Sequence, residues 1–392
     1  ADVDIFPGDF NGDGKSDVLA ASYEIFNGVK KHTNYSLLSD LNNGGGATVF
    51  YETPILGQGI LGGAPNKMYN FLATDYNKDG RDDVLYISGA LVENYETLLL
   101  DKVIINRTGS QNATGFYDFT TQNIDFPIIA GVAYQFVKPN QRYFIPGDFD
   151  GDGNQDYILI PYNSYYNQYK AFFTSPATNE LNIEIHNFGI DNPNPYPNSF
   201  ARTIAEADEI IPLDFDGDGK MELLIKKGQF SYVLSLQRTS PSSGISFAAS
   251  IISFTLTGYS SKIFPGDFNG DGKIDLLIHF ASNLWQIRYS DGISYDNLTY
   301  STFNFQHPVA VSGSVILDRI TVADFNGDGK ADILHGYDVG LTSRLSVYYS
   351  KGPLNTVPFF NEVYVYNDVI SYSSPGELSS GDFNGDGRND IV

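Results

Sequence analysis

Residues Pro7–Ala20 read PGDFNGDGKSDVLA. Inside this stretch, Asp9–Asp17 carries side-chain oxygens at its first, third, fifth and ninth positions and glycine at its sixth. Nearly the same words return at Gly381–Val392, GDFNGDGRNDIV. The phrase occurs seven times, with its first Asp at Asp9, Asp75, Asp148, Asp214, Asp267, Asp324 and Asp382. Successive copies lie 53 to 73 residues apart. Self-similarity at such a period marks a repeat architecture, in which each unit buries its apolar face only against its neighbours.

Working outward, each copy sits between short apolar runs. IFPG, FLAT, FIPG and IPL precede the early copies, and VLA, VLYI, YILI and LLI follow them. Runs this short, bounded by Gly and Asp, read as strands. Further strand candidates fill the intervals: Ser231–Gln237, Ile251–Thr257, Leu284–Tyr289 and Leu345–Tyr349. Each unit therefore reads as about four strands, the first two joined by the acidic loop. Four strands repeated many times predict an all-β fold, a β-propeller of four-stranded blades. Radial closure leaves only short, protected sheet edges. Seven blades are expected, with six as the alternative, and a linear β-solenoid ranks second because its repeats are usually shorter.

The loop chemistry is that of a hard cation. The donors are Asp9, Asn11, Asp13 and Asp17; Asp75, Asn77, Asp79 and Asp83; Asp148, Asp150, Asp152 and Asp156; Asp214, Asp216, Asp218 and Glu222; Asp267, Asn269, Asp271 and Asp275; Asp324, Asn326, Asp328 and Asp332; and Asp382, Asn384, Asp386 and Asp390. Alternating oxygen side chains converge if the backbone curls, and the sixth-position glycine permits the curl. All-oxygen sets suit Ca²⁺ better than zinc or copper. The seventh position (Lys15, Arg81, Asn154, Lys220, Lys273, Lys330, Arg388) is expected to offer its backbone carbonyl, with its side chain turned to water. The first half matches the helical calcium-hand loop. The second half does not, because the acid stands at position 9 rather than 12 and a strand follows. Two carboxylates ~4 Å apart repel by about 4 kcal/mol at an effective dielectric of 20, so three or four converging ones call for a cation. Up to seven Ca²⁺ are expected. A bare hairpin turn would explain one copy, but not seven that keep the ninth-position acid.

Composition bounds the rest. Gly is frequent (39) and Tyr and Phe number 27 and 28, a bias toward strands and turns. Cysteine is absent, which excludes disulfides, zinc thiolates and a thiol nucleophile. The formal charge of −23 argues against nucleic acid as a partner. No apolar run reaches membrane-spanning length, so no membrane insertion is expected. The chain, 1–392, is expected to be a single propeller domain of seven repeats with the last incomplete, and a piece of a longer parent chain.

With these residues in hand, the chain resembles the FG-GAP/VCBS repeat family, whose calcium loop DxDxDGxxD all seven copies match, allowing Asn at position 3 and Glu at position 9. Members include the propeller heads of integrin α subunits and many bacterial surface or secreted proteins. The resemblance implies a seven-bladed propeller with calcium in the loops between the first two strands of the blades. It also implies a secreted or cell-surface setting, in a toxin-complex B or RHS-type protein or an adhesin. The expected partners are a protein or glycan ligand, or other domains of the parent chain. The expected function is a calcium-binding, non-catalytic binding or structural module. The alternatives are a carbohydrate-binding lectin or adhesin and a propeller-type polysaccharide lyase.

Other residues carry weaker signals. The histidines His32, His186, His279, His307 and His335 are scattered and read as strand-end or surface residues rather than catalysts. Pro161–Phe173 is rich in Tyr and Asn, which can stack on sugars or anchor a protein. Asp191–Phe200 is a Pro-rich insertion that could decorate one face.

Overall fold

The computed structural model describes residues 2–26, 29–40, 50–54, 67–92, 97–111, 117–125, 136–137, 144–159, 170–175, 180–184, 208–227, 230–235, 252–255, 262–281, 284–293, 295, 300–303, 320–339, 342–351, 360–366 and 380–391. Regular structure among them is all strand, in antiparallel sheets. No helix there is long and apolar enough to cross a membrane. Most of the Tyr/Asn-rich stretch and all of the Pro-rich insertion lie outside the described residues.

The chain packs as two units. The first is built mainly on Ala1–Glu206 and also takes Phe383–Gly385; the second is built mainly on Ala207–Leu236 and Ala248–Asp382. In the first unit, Phe144–Gly147, Asp156–Leu159, Lys170–Ser175 and Glu180–Glu184 form a four-stranded meander. Ahead of it the expectation of separate blades needs correction. The strands of the first two repeats, from Asp2–Gly8 to Phe136–Val137, form one nine-stranded sheet. The two repeats are joined where His32 pairs with Met68. The strand Val29–Asp40 is long enough to pair with Phe50–Pro54 and, beyond it, with Lys67–Thr74, so one edge serves two partners.

The second unit holds three four-stranded meanders. They run Glu209–Leu213 to Ile252–Thr255, Lys262–Gly266 to Tyr300–Phe303, and Ile320–Ala323 to Phe360–Tyr366. A two-stranded hairpin follows, Ser380–Gly381 with Asp390–Ile391. The core lies between consecutive sheets. Along Asp275–Ala281, Leu276 and Ile278 pack toward Leu213, Phe215, Leu224 and Val233 of the preceding sheet. Leu277 packs the other way, with Trp285, Ile320, Ile333 and Tyr348. Successive strand residues point to opposite faces. A strand buried on both faces therefore reads as a near-continuous apolar run, which explains LLI. Burying each Leu or Ile contributes about 1.5–3 kcal/mol.

His279 and His335 are not surface residues. Both lie inside strands and are buried, and the His279 ring lies against Trp285, tilted by 54° with ring centroids 4.6 Å apart.

Candidate metal centre

All seven acidic loops connect the first two strands of a repeat, and all seven close in the same register. The residue before position 1 pairs with the ninth-position acid: Gly8 with Asp17, Thr74 with Asp83, Gly147 with Asp156, Leu213 with Glu222, Gly266 with Asp275, Ala323 with Asp332, and Gly381 with Asp390. The acid is thus the first residue of the outgoing strand, and its side chain is held by the sheet.

Each loop then wraps its own carboxylates. In the first copy Asp9 accepts the backbone N–H of Gly12 (2.7 Å), Asp13 (3.1 Å) and Gly14 (2.8 Å). Asn11 accepts from Asp13 at 2.7 Å, and Asp13 accepts from Lys15 at 2.9 Å. Copies five and six repeat the triple grip on Asp267 and Asp324. Short Asx turns of this kind bend the backbone around one centre. The fourth- and sixth-position glycines lie in the left-handed region, for instance Gly12 at φ 75° and Gly14 at φ 80°. Lys78 occupies the fourth position of the second loop at φ 58°, the only non-glycine residue with positive φ among the described residues.

In six of the loops the ninth-position acid is the buried member, while Asp390 is half-buried. Asp17, Asp83, Asp156, Glu222, Asp275 and Asp332 are all nearly inaccessible. One carboxylate oxygen accepts the N–H of the aromatic at position 2: Phe10, Phe149, Phe215, Phe268 and Phe325 donate at 2.8–3.1 Å. These aromatics are themselves buried and anchor the loop base. The other oxygen of Asp275 accepts from Ser290 N–H at 2.9 Å, and that of Asp332 from Ser350 N–H at 2.8 Å. Reading for metal ligands alone passes over these aromatics and serines. Their signal in the sequence is the recurring aromatic after the first Asp and the words YSDG (Tyr289–Gly292) and YSKG (Tyr349–Gly352).

The electrostatics are those of a site short of positive charge. Burial, opposed in part by the backbone N–H bonds and reinforced by the neighbouring loop carboxylates, pushes Glu222 and Asp275 up to about 8 and Asp332 to about 6. Carboxylate oxygens of Asp148, Asp150 and Asp156 lie within 4.8 Å of one another, as do those of Asp214, Asp216 and Asp218. Asn326 Oδ1 is a buried acceptor with no hydrogen-bond donor. An all-oxygen donor set with crowded carboxylates and an unfilled buried acceptor fits a hard divalent cation. Such a cation would be held by positions 1, 3, 5 and 9 and would lower the ninth-position pKa again.

One expectation is overturned. The seventh-position side chains do not simply turn to water. Arg81 lies on Gly12, Lys273 on Gly217, Lys330 on Gly270 and Arg388 on Gly327; in the first unit Lys15 lies likewise on Gly385. In each case the side-chain Cγ is 3.0–3.3 Å from where a β-carbon on the glycine would stand. Asn154 differs in kind: it is short, and buried. The reason is that consecutive loops touch. Position 8 donates its N–H to the first-position carbonyl of the preceding loop: Asp82 to Asp9 (2.6 Å), Ile274 to Asp214 (3.1 Å), Ala331 to Asp267 (2.7 Å) and Asn389 to Asp324 (3.0 Å). That bond leaves the seventh side chain nowhere to lie but across its neighbour.

Comparison with known proteins agrees with this geometry. A family model described as FG-GAP-like repeat matches residues 9–86 and 214–278. No curated protein sequence matches the chain. A solved structure of an Agrocybe aegerita lectin, described for specific recognition of non-reducing terminal N-acetylglucosamine, matches with a TM-score of 0.59 at 17% identity. The match covers 95% of this chain and 81% of that one. It is a likeness of fold, and it agrees with a β-propeller-like arrangement of small antiparallel sheets. Over residues 9–86 and 214–278, then, this chain is similar to FG-GAP-like repeats.

Proposed function

We propose that the chain is a calcium-binding, non-catalytic β-propeller built of seven repeats, the first two sharing one sheet, that serves as a binding or structural module of a larger secreted or surface protein of the toxin-complex, RHS or adhesin kind. The observation that carries this reading is the common register of the seven loops, which sets an acid, buried in six of them, against the start of every loop. Calcium then acts as a staple for a chain with no cysteine. At about 100-fold above its Kd, one site stabilises the fold by about 2.7 kcal/mol, provided the unfolded chain does not bind. Melting followed in calcium and in chelator, beside equilibrium dialysis to count bound ions, tests it. A marked rise in melting temperature with several ions bound is expected. No bound calcium and superimposable melting curves would sink the proposal.

A second reading is glycan binding, favoured by the fold shared with a lectin. A glycan array probed with the calcium-loaded protein separates the two readings. Dose-dependent binding to a defined terminal sugar supports the lectin reading, and a blank array supports the purely structural one.

A further inference from the structure

Every junction between consecutive loops that lies within one unit holds a basic side chain. At four of them in sequence order it comes from position 7 of the later loop: Arg81 on Gly12, Lys273 on Gly217, Lys330 on Gly270 and Arg388 on Gly327. The junction between the second and third loops departs from this pattern twice over. The third loop has Asn154 at position 7, the one copy without Lys or Arg there. The second loop has Lys78 at position 4, the one copy without Gly there. The two exceptions meet. Lys78 Nζ reaches 3.3 Å from where a β-carbon on Gly153, the neighbour of Asn154, would stand. The basic group now comes from the earlier loop and reaches the sixth-position glycine of the later one, but it still spans the junction.

A basic group retained while its source switches is more than loop filling. At two junctions its head and stem touch different loops, whereas Arg81 also turns its Nε to the preceding loop, donating to the Asn11 carbonyl at 3.3 Å. Lys330 lays its stem on Gly270 of the fifth loop while its ammonium lies 3.2 Å from Asp328, a fifth-position donor of its own loop. Lys273 does the same with Gly217 and, at 3.7 Å, Asp271. The glycine it covers stands between the third- and fifth-position donors of the preceding loop. Beside it runs the bond from position 8 to the first-position carbonyl, whose own carboxylate is a donor. Between the fourth and fifth loops Ser290 adds a further tie. Its N–H holds Asp275 and its hydroxyl donates to the carbonyl of Phe215 at 2.6 Å, while Phe215 N–H holds Glu222.

We infer that these basic side chains are clasps that couple neighbouring cation sites, so that filling one loop favours filling the next. The inference rests on the calcium reading above. A cation that orders the first, third and fifth donors of one loop fixes the carbonyl and the glycine against which the next loop is built. Coupling between sites is reciprocal, and typical values correspond to about 5- to 150-fold in affinity.

The test is a calcium-binding isotherm by equilibrium dialysis on the full chain and on Lys273→Met, Lys78→Gly, Asn154→Lys and the double variant Lys78→Gly/Asn154→Lys. Lys273→Met keeps the stem and removes the charge, so it tests the clasp without emptying the space. We expect a wild-type isotherm steeper than independent sites allow. We expect Lys273→Met and Lys78→Gly to flatten it and to weaken the adjoining sites by about 5-fold or more at unchanged stoichiometry. The double variant is expected to recover the wild-type slope. Normal stoichiometry with unchanged slopes in both Lys273→Met and Lys78→Gly, or a double variant no better than Lys78→Gly, overturns the clasp and leaves calcium binding standing. Zero stoichiometry in the wild type overturns the calcium reading, and the coupling with it.

Discussion

The glycines at positions 4 and 6 are both in the left-handed region, yet they are required for different reasons. Around Gly272 (φ 84°) a β-carbon would meet nothing within 4 Å, so only its backbone angle matters. For Gly217 (φ 77°) a β-carbon would stand 3.0 Å from the backbone carbonyl of Gly272 in the next loop. Gly272→Ala should therefore cost about 1–2 kcal/mol, the usual left-handed penalty. Gly217→Ala should cost more, because backbone cannot step aside. Urea titrations of the two variants check the order. The buried acids make a second prediction. In the cation-free protein Glu222 and Asp275 titrate near 8 when folded, above their ordinary 4.5 and 3.8. A folded pKa that is raised adds stability fully present below the unfolded pKa and lost as pH rises through the folded one. In chelator, the melting temperature should therefore fall as pH rises from about 5 to about 8. A bound cation favours the ionised acid, so in calcium the dependence should reverse or flatten. A melting temperature in chelator that climbs over this range would contradict the burial described here.

At the scale of the element, the strand Asp275–Ala281 shows why these sheets need their neighbours. Its alternate residues serve two different interfaces, so no sheet is stable on one face alone. Trp285, on the partner strand Leu284–Arg288, is wholly buried between two sheets. Trp285→Ala should destabilise by about 3–5 kcal/mol in chemical denaturation. Ser290→Ala removes the hydroxyl's bond to the Phe215 carbonyl and the one it accepts from Gly292 N–H, and should cost about 1–3 kcal/mol. The strands were legible from short apolar runs, and Leu284–Tyr289 was found as Leu284–Arg288. Their partnership was less so. The nine-stranded sheet arises because one long strand, Val29–Asp40, carries an extra pairing, and strand length past a turn has no clear local signature. The burial of His279 was equally hidden, since nothing in the letters around it tells that Trp285 will lie across it.

At the scale of the whole molecule, the charge of −23 dominates the response to solvent. Carboxylates at loop positions 1, 3, 5 and 9 supply about half of the 47 acids, so self-repulsion is concentrated in the loops. Raising salt from about 0.05 to about 0.5 M shortens the screening length from over 10 Å to a few Å. It should raise the melting temperature in chelator and, with the proposed calcium bound and those charges neutralised, should do less in calcium; differential scanning calorimetry in the four buffers decides it. By itself the sequence determined the repeat, the loop, its donors and the strands that flank it, because each of these is a local pattern of side chain and backbone angle. Only the tertiary structure decided that Arg81, Lys273 and Lys330 lie across the preceding loop, that Ser290 ties two loops together, and that Lys78 stands in for a side chain that Asn154 lacks. Those contacts join residues some fifty to eighty positions apart. Their geometry comes from how consecutive sheets stack, a property no single repeat contains.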